Sequence, residues 1–308
     1  MVKKLVLAGT LVLAIGLGFT GCDVEFGKMD YKDYVEEVVS DDYEENSWSQ
    51  IKNEAGIIQV NESIENIDDI NIDLAIGLVN IQEGNEDKVQ VLVNGEKDKI
   101  VSNLKNKKLD IKSKGKSVIS VKGKNNIAVP EVQISIPKNF NKNINVKVGV
   151  GGVGLDCSNI KNLDINVGTG AILNNRAMNI EKLNTNMGIG IVDILINEAS
   201  NVNIDQEIGG IFLTLKEMNG DITVENKMGS VDIAYLNGKP YVKSEVKVGE
   251  KNMTRVEGNG KGSIHGKVNV GELNINKTSI EKIQARNSMD FFEEIMGEVK
   301  EMIAEDGN

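Results

Sequence analysis

The sequence predicts an all-β chain, built as a β-solenoid of strand–Gly–strand repeats of roughly twenty residues, with a C-terminal amphipathic capping helix. Three observations carry that prediction. Glycine recurs at Gly149, Gly168, Gly188, Gly209, Gly229 and Gly249, in steps of 19, 20, 21, 20 and 20. Apolar residues alternate with polar ones on both sides of these glycines, as in Val146-Lys147-Val148-Gly149 and Val231-Asp232-Ile233. The composition is rich in glycine (32) and poor in proline (3) and aromatics (4%), which suits many short strands joined by turns. Period-two alternation marks strands with one buried face. A unit too short to bury its own face must stack on its neighbours.

Taken in order, the chain opens with MVKKLVLAGTLVLAIGLGFTGC. Lys3 and Lys4 form a positive start, Leu5 to Gly18 an apolar run, and Phe19-Thr20-Gly21-Cys22 resembles a lipobox. That layout is an export signal, and the apolar run falls short of the ~20 residues that span a bilayer. The expected organisation is a lipoprotein signal peptide over 1–21, with Cys22 as the lipidation site. Anchoring through attached acyl chains places the mature protein on the extracytoplasmic face of the cell membrane.

Residues 22–50 read as an acidic membrane-proximal tether. From 23 to 50 there are ten acids against Lys28 and Lys32. Tyr31, Tyr34, Val35 and Val38 fall at helical spacing within it, and Trp48 lies at its end.

The solenoid is expected over 51–278. Ile72 to Ile81 looks like one repeat ahead of the regular block, and Ile134-Ser135-Ile136-Pro137 leads into that block. Between them, residues 97–124 carry ten lysines against Asp98 and Asp110, read as a solvated strand face on which lysines discourage edge pairing. From Gly149 onward each repeat reads as strand, glycine bend, strand and Asn-rich turn, the turns tolerating left-handed dihedrals.

Residues 279–308 change period. Phe291, Phe292, Ile295, Met296, Val299, Met302 and Ile303 form an amphipathic stripe after a candidate N-cap at Asn287 or Ser288. A cap over the end of the stack is the first reading and a partner-binding helix the second.

The chemical motifs are weighed against this background. VKVGVGGVGLDC, residues 146–157, spells G-x-G-x-x-G in Gly149, Gly151 and Gly154. A dinucleotide site needs a helix after the third glycine, and the pattern predicts a turn and another strand. The same stretch begins a calcium nonapeptide, G-G-x-G-x-D, ending at Asp156, but the nonapeptide works in tandem and the repeat here is twenty. Cys157 reads as a small buried hydrophobe, and His265, the single histidine, as a turn or surface residue. No cofactor and no metal are expected. A net charge of −11 disfavours nucleic acid, whose binding rests on neutralising phosphates.

ISIPKNFNKNINVKVGVGGVGL, followed by LDINVGTGAIL, LNTNMGIGIVDILI and ITVENKMGSVDIAYL, resembles the bacterial putative-adhesin domain, an envelope-associated β-solenoid family of unknown function. The resemblance spans roughly residues 56–275 and brings no catalytic residues with it. It implies an extracytoplasmic role in interaction or sensing. The function expected is therefore a non-enzymatic surface interaction module, meeting the membrane through its lipid and a protein or envelope polymer as partner. A regulatory accessory of an envelope-stress system and a β-helix enzyme on wall polysaccharide are the alternatives.

Overall fold

The structure, a computed structural model, describes residues 57–84, 87–94, 100–113, 120–122, 126–128, 130–174, 176–253, 258 and 260–285. It is nearly all β, and its main sheet is a single open one of twelve strands. The first strands are β1 (Ile57–Ser63), β2 (Asp69–Gly84), β3 (Lys88–Asn94), β4 (Ile100–Lys105) and β5 (Lys108–Ser113). A separate hairpin, β6 (Ser120–Lys122) with β7 (Asn126–Ala128), precedes β8 (Glu131–Pro137) and β9 (Asn143–Asp156). Then come β10 (Asn159–Asn174), β11 (Met178–Glu217), β12 (Asp221–Asn237), β13 (Tyr241–Met253), β14 (Ser263–Lys277) and the short helix α1 (Ile280–Ala285).

From β2 onward the strands are long, parallel and in register. β2 pairs with β9, β9 with β10, β10 with the first half of β11, and the second half of β11 with β12. Each is bent at a glycine, and the bends stack. Gly77, Gly151, Gly170 and Gly190 are successive partners, Gly209 lies against Gly190, and Gly209, Gly229 and Gly271 continue the column. All have positive φ, between 130° and 158° in this run. At Gly170 the reason is plain: φ is +149°, and a Cβ there would run into the carbonyl oxygen of Gly151. Only a residue without a Cβ fits both constraints.

On each side of the bend, alternate residues point into one core. Before it, Ile72, Val146, Ile165, Thr185, Ile204 and Val224 occupy successive rungs. After it, Val79, Val153, Ile172, Val192, Ile211, Val231 and Leu273 do the same. β-Branched residues dominate, as expected where pleated strands pack face to face. Outside, asparagines form ladders: Asn162 Nδ2 donates to Asn143 Oδ1 at 2.8 Å, and Asn143 Nδ2 to Asp69 Oδ1 at 2.8 Å.

At the N-terminal end, two antiparallel sets cover the arms of β2 separately. The β4–β5 hairpin lies on its first arm, and β8, β3 and β1 lie on its second. The hairpin turns at Asn106 and Lys107, both with positive φ, so part of the lysine-rich stretch is a capping hairpin at this end of the sheet.

The sequence period is corrected at two points. The first concerns the glycines. Gly209, Gly229 and Gly249 do belong to the positive-φ column. Gly149, Gly168 and Gly188 stand in a second column, two residues upstream, where the neighbouring rung before Gly149 has Ala75. The 21-residue step from Gly188 to Gly209 is where one column was exchanged for the other.

The second concerns rung order. Gly249 follows Gly229 by twenty residues, yet β12 pairs with β14, and β13 lies outside β14. The register supplies the reason. Opposite the buried Leu273 of β14, β13 presents Lys251. A strand placed inside the stack would bury that ammonium unpaired, which is costly. β14 offers Leu273 and Ile275 instead and takes the inner place. β13, with Lys243, Glu245, Lys247 and Lys251, makes a charged edge of the kind that discourages further pairing.

Cys22, the tether and the C-terminal stripe from Phe291 to Ile303 lie outside the described residues, as do Asn287 and Ser288.

Candidate functional site

The bend generates two surface features at once. The residue immediately before the positive-φ glycine points outward, and it is aliphatic at nearly every rung. Ile76, Val150, Thr169, Ile189, Ile208, Met228, Val270 and Val248 form this column in spatial order. At ~4.8 Å per strand the ridge runs for ~34 Å. It is most open toward its C-terminal end, where Met228 is 51% exposed, Val270 43% and Val248 63%.

Beside the ridge lies a furrow. Gly149, Gly168 and Gly188 form its floor, since a column without side chains leaves the strands bare between their neighbours. The close approach is backbone on backbone: a Cβ on Gly168 would strike the carbonyl oxygen of Gly149. Lys147, Asn166, Asn186 and Asp205 form the polar wall, and Glu207 with Lys227 closes one end. The furrow is an open groove of about 420 Å³ that runs across the strands, along the stacking direction. Lys227 Nζ meets Glu207 Oε1 at 2.6 Å, and that hydrogen bond holds the ammonium above its ordinary pKa. Glu207 is thereby committed to an ion pair.

The residues singled out in the sequence are placed as follows. Cys157 is buried, and its thiol is pushed up to about 12, first by burial and then by the carboxylates of Asp156 and Glu83. Asp156, the last position of the calcium-like motif, accepts from Arg176 Nε at 3.1 Å, and the same guanidinium reaches Glu83 at 3.4 Å. The G-x-G-x-x-G stretch lies wholly within β9, and the next element is the strand β10. Its extra glycines sit in register, Gly152 between Leu78 and Ala171, and Gly154 between Asn80 and Leu173. β9 therefore continues the stack across this point. His265 stands on the outer face between Thr223 and Lys243, half-buried.

The furrow wall was not picked out from the sequence. Its signal is present but needs the right register: Lys147, Asn166, Asn186 and Asp205 follow one another in steps of 19, 20 and 19.

The arrangement offers an elongated surface. The wall carries amide and charged groups, the floor is bare backbone, and the aliphatic side chains that border it, Val148, Val167 and Met187, are buried. The lining includes neither an aromatic side chain nor the histidine. Such a surface can hold an extended chain laid along the stack, with hydrogen bonds from its polar wall.

Several solved structures to which this chain is similar carry related names. A putative cell adhesion protein from Clostridium sporogenes is 17% identical, with 73% of this chain and 99% of that chain covered and a TM-score of 0.33. A putative adhesin from Bacteroides fragilis is 17% identical, covering 72% of this chain and 98% of that one, with a TM-score of 0.40. A putative lipid binding protein from Parabacteroides distasonis is 14% identical, covering 74% and 98%, with a TM-score of 0.34. Most of these neighbours are named for adhesion. No family profile and no curated protein matches the chain.

Proposed function

We propose that this chain is a non-enzymatic envelope lipoprotein whose body is a β-solenoid acting as a surface interaction module. Cys22 carries the lipid, the acidic segment to residue 50 is the tether, and the bent parallel strands are the coils. The C-terminal segment covers the far end of the stack. The partner is a protein or an envelope polymer.

The observation that supports this reading is the furrow with its aliphatic ridge. Its floor, wall and ridge each repeat from rung to rung, so the surface is long and one-dimensional. A site for a small substrate would gather its groups at one point. Here Glu207 is neutralised by Lys227, and the polar groups are spread along the column.

The test blocks the furrow without touching the core. Asn186→Trp fills it from the outer wall, where residue 186 is exposed. Full-length protein is titrated onto isolated envelope from its host, with and without protease treatment of the envelope. Saturable binding that falls at least tenfold in Asn186→Trp supports the proposal, and the protease arm separates a protein partner from a polymer. Equal binding by the variant would sink it. Anchoring is tested separately, by Cys22→Ala and fatty-acid labelling. Label retained by the variant would defeat it.

A further inference from the structure

The first arms of four successive rungs carry NINVK (143–147), NLDIN (162–166), KLNTN (182–186) and NVNID (201–205). In each run the two inner positions, such as Leu163 and Ile165, are buried in the core. The three outer positions of each run are half-buried or exposed. The first three runs pair in register, and Gly209 against Gly190 sets the fourth beside the third. One outer sheet face thus presents twelve side chains in three columns, and eight of them are asparagine. The four charges, Lys147 and Lys182 against Asp164 and Asp205, cancel. The face is neutral in a chain whose net charge is −11.

The amides are held in one orientation. Asn143 Nδ2 donates to Asp69, Asn162 to Asn143, Asn145 to Asn71, and Asn184 to Asp164, at 2.5 to 3.0 Å. Each of these bonds is donated toward β2, so the amides point one way along the stack. An asparagine amide has two N–H donors and an oxygen with two lone pairs. A ladder bond on either side, as at Asn143, uses one of each and leaves one of each. Asn166, Asn186, Asn201 and Asn203 are exposed and make no side-chain hydrogen bond among the described residues.

Neutral groups that both donate and accept, repeated along a line, suit a ligand of the same character. A hydroxyl group has that character. Spacing favours a sugar chain over a peptide. An extended peptide advances ~3.3 Å per residue and falls out of step with rungs ~4.8 Å apart. An extended β-linked pyranose chain advances by close to one rung per sugar, so successive sugars meet equivalent amides. A polymer of uronates or phosphates gains no net attraction from a face whose lysines and aspartates balance.

We propose that this face, with the furrow along its edge, binds an uncharged, hydroxyl-rich glycan laid along the stack. The glycan is then the polymer partner of the interaction module proposed above, the reading on which this assignment rests. None of the twelve side chains is aromatic, so ring stacking contributes nothing and affinity accumulates sugar by sugar.

The test titrates the full chain carrying Cys22→Ala onto uncharged β-linked oligosaccharides of glucose, mannose and N-acetylglucosamine, each as disaccharide and hexasaccharide. Polygalacturonate and polyphosphate are the charged probes. The expected result is binding of at least one hexasaccharide, at least tenfold tighter than its disaccharide and unchanged between low and high salt. Asn166→Leu combined with Asn203→Leu is expected to weaken that binding at least tenfold with the unfolding midpoint kept, since neither side chain is engaged in the ladder. Salt-sensitive binding to the charged probes alone would overturn the proposal, as would a double variant that binds the hexasaccharide as tightly as its parent. Binding to no uncharged oligosaccharide would also overturn it. If binding to isolated envelope is then protease-sensitive, the interaction module stands with a protein partner, whereas absence of envelope binding fails the module as well.

Discussion

Gln206 Nε2 donates a 2.6 Å hydrogen bond to the carbonyl oxygen of Gly190, the bend glycine of the preceding rung. The next rung repeats the device, with Asn226 Nδ2 donating to the carbonyl of Gly209 at 2.9 Å and to Gln206 Oε1 at 3.3 Å. Both side chains are buried in a column otherwise filled by Val148, Val167, Met187 and Val268. Two amides thus stand where the core would accept hydrocarbon. Gln206→Met, which places the residue of position 187 one rung further on, removes the donor and leaves Gly190 without this partner. The expected cost is ~1–3 kcal/mol, measured by denaturant unfolding. An unchanged midpoint would show that the amide has no stabilising role.

The bend column makes its own prediction. Gly170→Ala adds a Cβ against the carbonyl of Gly151 and demands a positive φ from alanine. Strain and displaced backbone together are expected to cost ~3–5 kcal/mol. Gly84→Ala is the control, since its Cβ would come no closer than 3.3 Å, to the Ser135 side chain, and would meet the carbonyl oxygen of Ile136 at an ordinary 3.7 Å. Its expected cost stays near ~1 kcal/mol. Equal losses for the two would contradict the stacked bends.

How much of this was legible in the sequence can be read from particular residues. Alternation around Ile165, Val167 and Ile172 marked the buried faces, and Ile72 to Ile81 was recognised as a repeat that the structure places in register with β9. The glycine series merged two columns because Val148, Val167 and Met187 look like Ile208, Met228 and Val248. The first three are buried, and the last three are exposed on the ridge. Hydropathy alone does not separate an inner from an outer aliphatic when the two lie two residues apart across a bend. The rung order was hidden because β13 satisfies the period as well as β14 does. Lys251, at a position where every inner rung has an aliphatic residue, was the one discordant signal.

That discord becomes a paired prediction. Leu273→Lys places an ammonium at a fully buried position and is expected to cost several kcal/mol, on the order of 3–5. Lys251→Leu, one strand further out and exposed, is expected to change stability by less than ~0.5 kcal/mol. Thermal or denaturant unfolding of both variants decides it. Reversed magnitudes would place β13 inside.

Cys157 predicts a pH dependence. Its folded pKa, pushed up to about 12, lies above the ordinary thiol value, so folding favours the protonated form. That contribution is fully present below the unfolded pKa near ~8.5 and is lost as pH rises through the folded value. Stability is expected to decline across this alkaline window, and Cys157→Ala to flatten the decline. Native protein at pH 8 is also expected to resist alkylation until denatured. Rapid labelling of the native thiol would contradict its placement.

The furrow and the ridge both depend on which strands are neighbours, so the most direct test is of neighbourhood itself. Asp232 accepts from Asn274 Nδ2 at 2.8 Å, across the β12–β14 pair, while Asn252 lies one strand further out. Two double variants are made in the Cys22→Ala chain: Asp232→Cys with Asn274→Cys, and Asp232→Cys with Asn252→Cys. Neighbouring strands are ~4.8 Å apart and next-but-one strands ~10 Å, and a disulfide needs Cα atoms roughly 4.4–6.8 Å apart. The account predicts ready disulfide formation in the first pair and none in the second. A disulfide at 232–252, with none at 232–274, would contradict it.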